Sequence, residues 1–132
     1  MLLPTSTDLA ALVGRVALGA LFLVHGFPKI KNIKQPIGFV KGTGWPGGAV
    51  FAVLFTLLEF FGGIALILGF LTQVVAVLFV LEMLATTVFS KTKLNKKFVL
   101  GYELDLAYAA FALVIAFLGP GVWSLDKILG FA

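Results

Sequence analysis

The sequence has no cysteine, one histidine and two methionines. Without thiols there is no disulfide scaffold, iron–sulfur cluster, thiolate zinc site or dithiol redox chemistry. A single histidine with two methionines argues against a bis-axial haem site, and no His/Asp/Glu group has metal-ligand spacing, so neither haem nor metal is expected. No glycine-rich loop follows a strand: Gly42-Thr43-Gly44-Trp45-Pro46-Gly47-Gly48 reads as turn material, so no nucleotide is expected. No nucleophilic triad can be assembled. Charge is also scarce, at 12% of 132 residues, against roughly 25% in soluble domains.

Apolar residues make up 61% of the chain, and the mean hydropathy is +1.12. Such a chain covers itself with lipid or with other apolar chains, which makes it a membrane protein. A span needs about 20 mostly apolar helical residues. Four runs qualify, at about 8–27, 49–70, 72–89 and 101–118. The first follows N-cap candidates in Thr5-Ser6-Thr7-Asp8, and the last stops at Gly119-Pro120-Gly121. Arg15 interrupts the first run and no Lys or Arg precedes it, so it reads as a span, not a cleaved leader. The runs are about twice a barrel strand's length and lack alternation. The expectation is an all-α, four-transmembrane-helix bundle with short connections, forming a single domain over 1–132.

Net charge is +4, but the lysines fall in two blocks instead of on one face, which argues against nucleic-acid binding. Lys29, Lys31, Lys34 and Lys41 lie between the first two runs, and Lys91, Lys93, Lys96 and Lys97 between the last two. By the positive-inside rule both loops are expected to be cytoplasmic, with both termini outside the cytoplasm in a multi-pass cell-membrane protein. Ile30, Ile33, Ile37 and Val40 recur at helical spacing opposite lysines, which predicts a cytoplasmic amphipathic stretch interrupted by Pro36 and Gly38. The tail Val122–Phe131 reads as an interfacial segment.

Ionisable residues at membrane depth are costly, about 2.5–3.5 kcal/mol each on insertion scales, and so are rarely idle. The candidates are Arg15, His25, Glu59, Glu82, Asp105 and Glu103. Helical rise places Arg15 about 11 Å in and Glu59 and Glu82 about 15–16 Å in from one side. Arg15, Leu18, Phe22, His25 and Lys29 share a stripe, and Asp105 and Tyr108 share a face. The simplest assembly turns the Arg15 stripe, Glu59, Glu82 and Asp105 toward one axis. Arg15 would neutralise one carboxylate, and Lys29 or His25 another. The surplus acid then carries a proton or sees water. A structural reading stands beside this one: Arg15 paired with Glu59 or Glu82 to hold register, His25 interfacial, Glu103 a helix-start acid, and Lys29 snorkelling to headgroups.

The run Arg15-Val-Ala-Leu-Gly19 with His25-Gly-Phe-Pro-Lys29 resembles the first-span signature of the DoxX family of small four-helix membrane proteins. Gly42-Thr-Gly-Trp-Pro46 and Glu59-Phe-Phe-Gly-Gly63 through Thr72 continue the likeness, which extends over about Leu9–Leu118. The resemblance places Arg15, His25, Lys29 and Glu59 on motif positions. It implies links to quinone oxidoreductase systems, to redox-stress complexes or to assembly of other membrane proteins. The leading expectation is a subunit that binds quinone through a pocket of Arg15, His25, Glu59, Glu82, Asp105 and Tyr108. It would work with another membrane or redox subunit, homo-oligomerisation also being open. The alternatives are a non-catalytic accessory or assembly subunit and a proton-coupled transporter, the latter disfavoured by four short spans without broken helices.

Overall fold

A computed structural model describes residues 3–132, and among them all regular structure is helical. α1 runs Thr7–Lys31, α2 Lys34–Gly42, α3 Gly48–Leu68, α4 Thr72–Thr92, α5 Glu103–Leu118 and α6 Leu125–Leu129. α1, α3, α4 and α5 are the four membrane-length apolar helices, the last entered through an irregular turn at Phe98–Tyr102. α1 packs on α3, α4 on α5, and α1 also on α5. Phe39 of α2 and Trp45 of the following turn both pack on Phe89 near the end of α4. The two lysine-bearing connections therefore meet at one end of the bundle.

Side chains that would be hidden in a soluble protein are open here: Val24 is 70% exposed, Leu81 59% and Phe117 84%. That outer surface belongs to lipid. The interior is narrow, built on Leu18, Phe22, Leu66, Phe79, Ala112 and Ile115. Phe22 and Phe79 stack at its centre with ring centroids 3.7 Å apart. Hydrocarbon outside removes most of the hydrophobic drive, so close backbone approach carries much of the cohesion. α1 and α3 achieve it through glycine. A Cβ on Gly19 would lie 2.6 Å from the Gly63 carbonyl oxygen, and one on Gly26 would lie 2.6 Å from the Phe60 nitrogen.

Several boundaries differ from the sequence reading. α1 continues through Pro28 to Lys31. Ile30 and Lys31 therefore end α1, and a separate α2 follows. Pro36 does not break α2, because it sits in the first turn, where an N–H would have no intrahelical partner. The tail lies at the end of the bundle but is more than a surface segment. The Asp126 amide donates to the Gly69 carbonyl at 2.9 Å, and its carboxylate, 3% exposed, accepts from the Leu71 and Thr72 amides at 2.6 and 2.9 Å. α6 thus caps the N-terminus of α4 from 54 residues downstream.

Candidate functional site

At the lysine end, beneath α2, the helices part around a cavity of about 620 Å³, within the size range of ligand sites. Its upper walls are aromatic: Phe39, Trp45, Phe51, Phe55 and Phe89. Trp45 meets Phe89 and Phe51 edge-on at 5.4 and 5.8 Å. Polar groups enter from every membrane helix, His25 and Lys29 from α1, Thr56 and Glu59 from α3, Ser90 from α4 and Asp105 from α5. Lys29 and Lys96 balance Glu59 and Asp105 in the lining.

Lys29 Nζ donates to Glu59 Oε2 at 2.9 Å, the lysine side chain 40% exposed and the glutamate side chain 8%. Two local features make the pair. The absent side chain at Gly26 lets α1 lie against the Glu59–Phe60 backbone. At Leu58–Gly62 α3 also loosens into a π-turn, which re-aims the side chains on either side of it. Across the cavity Ser90 Oγ donates to Asp105 Oδ2 at 3.2 Å.

Glu82 lies behind Glu59, 2% exposed, and among the described residues no hydroxyl, amide or ammonium reaches either of its oxygens. Its neighbour is the Glu59 carboxyl. Two carboxylates have no hydrogen to share, so this contact is a bond only when a proton lies between them. The Thr56 hydroxyl, 1% exposed on the cavity wall, likewise has no partner.

The expected polar residues are not all brought together. His25, Lys29, Glu59 and Asp105 line one cavity and Glu82 adjoins it. Tyr108 stands aside, its ring 6.4 Å from His25 and 5.8 Å from Phe22. Glu103 accepts from the Leu100 amide at 3.0 Å, as a helix-start acid does.

Arg15 departs most from expectation. It is fully buried, but its partners are carbonyls instead of Glu59 or Glu82. Nε donates to Pro120 O at 2.9 Å, Nη1 to Leu66 O and Ile67 O at 3.1 and 3.3 Å, and Nη2 to Trp123 O. The guanidinium clasps the end of α3 to the turn leading into α6, at the opposite end from the cavity. The negative end of the α3 dipole meets a cation there. Lys29, assigned by the structural reading to snorkelling, is the cation that Glu59 holds.

Sequence reasoning missed Thr56, Ser90 and the aromatic wall. Thr56 and Glu59 share a helical face by their spacing of three, and Ser90 falls two turns beyond Glu82, so a face-by-face reading could have found both. The wall depends on α2 folding back over the bundle, which local sequence does not announce.

The fold and site define a class: a four-span helical membrane protein with a polar, aromatic-walled cavity at one end. The sequence profile of the DoxX family matches residues 10–92, and the chain belongs to that family. The inner membrane protein YqjF of Escherichia coli is 30% identical over 92% of this chain and 93% of its own length. The inner membrane protein YphA of the same organism is 27% identical over 88% and 87%. A Bacillus subtilis relative named "Putative oxidoreductase CatD" is 28% identical over 94% and 90%. No solved structure matches.

Proposed function

We propose that the cavity binds the head of a quinone, and that the chain is the membrane subunit of a quinone-linked electron- and proton-transfer system. The electrons come from a partner subunit. The observation that carries this reading is the cavity itself: aromatic above, charge-balanced in its lining, and floored by Thr56 and the Lys29–Glu59 pair. Equal numbers of lysines and acids favour a neutral ligand over an anion. The name of the Bacillus relative agrees with a redox role.

A bound quinone supplies reversible reduction coupled to protonation of its carbonyl oxygens. Thr56, His25 and Lys29 offer donors to those oxygens. Phe51, Phe55, Phe89 and Trp45 hold the ring by edge and face contacts and keep water out. Glu59 faces the cavity and gives or takes the proton. Arg15 takes no part, being engaged at the other end. The lysine count puts the cavity at the cytoplasmic leaflet and both termini on the far side.

The test is the quinone content of protein purified in mild detergent and extracted into organic solvent. Near-stoichiometric quinone is expected in the wild type and in Lys127→Met, which alters an exposed residue remote from the cavity. Glu59→Gln and Lys29→Met should lose most of it while staying folded. Folded variants that keep all their quinone would remove this pocket from the reading. A wild type that holds none, even after quinone is added back, would favour an accessory or assembly role.

A further inference from the structure

A second concavity lies on the lipid side of the α1–α3 seam. It measures about 510 Å³ and is lined by Leu23, Val24, Phe27, Pro28, Phe60 and Ile64, without a polar side chain. Phe27 and Phe60, both in its lining, stack with ring centroids 6.4 Å apart. Pro28 lines this groove and the polar cavity alike. The π-turn sets the two sides of α3 apart at this level, with Glu59 facing the cavity and Phe60 the groove. A wholly apolar channel thus abuts a polar pocket across one proline ring.

We propose that this groove holds the first stretch of hydrocarbon tail of the same molecule whose head occupies the cavity. This rests on the proposed quinone reading and narrows it: the ligand is a long-chain amphiphile that arrives from the bilayer, not a small solute from the aqueous phase. A head alone would leave the groove to ordinary lipid. Pro28, the wall shared by the two, lies two residues beyond the closely packed contact of Gly26 with Phe60, so a tail attached beside it would not have to part that contact. The tail gains little by leaving lipid for an apolar groove, because the two media are equally apolar. Position, more than affinity, therefore reports on the proposal.

The experiment uses the full chain in nanodiscs and a quinone analogue with a farnesyl tail, carrying a diazirine in the isoprene unit next to the ring. Benzoquinone and naphthoquinone versions are run in parallel, and labelled peptides are mapped by mass spectrometry. Label is expected on residues 23–28 and 60–64. It should fall to about a tenth when a tail-less quinone is present at about ten times its Kd. Ile64→Trp, which fills the groove from the lipid side, should move the label elsewhere while tail-less quinone still binds. Groove label that the tail-less competitor does not reduce would be annular contact, and would overturn the inference. So would label lying away from the groove while tail-less quinone binds the cavity. If tail-less quinone does not bind at all, the quinone reading itself fails and the tail site falls with it.

Discussion

Replacing Arg15 with leucine removes five N–H donors from a place where the protein supplies carbonyl oxygens. Four carbonyls now accept from the guanidinium: Pro120, Leu66, Ile67 and Trp123. Leu66 O keeps a second donor in the Gly69 amide at 3.1 Å. The carbonyls of Pro120 and Trp123 belong to the turn that brings α6 back onto the bundle, and Arg15 ties that turn to α1 together with Asp8, whose Oδ1 accepts from the Val122 amide at 3.2 Å. A carbonyl stranded without a donor costs about 1–3 kcal/mol, so the three at Pro120, Ile67 and Trp123 cost about 3–9 kcal/mol. That is a large share of a typical folding free energy of about 5–15 kcal/mol, and it corresponds to a Tm drop on the order of 10 °C. The assay is thermal unfolding in detergent followed by tryptophan fluorescence, with bound quinone measured on the same samples below Tm. Arg15→Leu should lower Tm and loosen the 120–131 segment first, leaving the cavity's quinone in place while the protein is folded. Arg15→Lys should fall between, since a lone ammonium cannot reproduce the fork. An unchanged Tm, or lost quinone at full Tm, would refute the reasoning.

Glycine substitutions should separate the seam from the surface. Gly26→Ala drives a methyl to 2.6 Å from Phe60 N, so α1 must back away from α3. A stability loss of about 1–3 kcal/mol is expected by differential scanning fluorimetry, with quinone lost as Lys29 leaves Glu59. Gly38→Ala, with nothing within 4 Å of the new methyl, should be neutral or stabilising by up to about 1 kcal/mol. Asp126→Ala leaves the amides of Leu71 and Thr72 without their acceptor. Hydrogen exchange at residues 71–75 should accelerate, and stability should drop by about 0.5–2 kcal/mol.

How far the sequence reached depends on the range of the forces involved. The four spans were legible because hydropathy over a window of helix length is a local property. That Arg15 faces inward was legible for the same reason, from its stripe with Leu18 and Phe22. Its partner was not. Counting charges sets a guanidinium against carboxylates, but a carbonyl accepts as well, and the carbonyls came from a tail whose docking no local pattern encodes. Asp126 shows the same gap: it caps a helix distant in sequence, and adjacent residues cannot reveal that. Lys29 and Glu59 both stand out in the sequence, yet their pairing depends on the π-turn and the bare backbone at Gly26. Helical spacing assumes 3.6 residues per turn and fails where the turn widens. The aromatic wall was hidden because phenylalanine is common in every span, and only the fold-back of α2 selects those that meet Trp45.

The two tryptophans lie at opposite ends of the bundle, Trp45 in the cavity wall and Trp123 beside the Arg15 clasp. Trp123→Phe therefore leaves one fluorophore at the proposed quinone site, and Trp45→Phe leaves one remote from it. Titration of both with a quinone in detergent tests the central claim most directly. The account predicts saturable quenching of Trp45 alone, abolished by Glu59→Gln. Linear quenching of equal slope in both proteins, with no saturation, would contradict it.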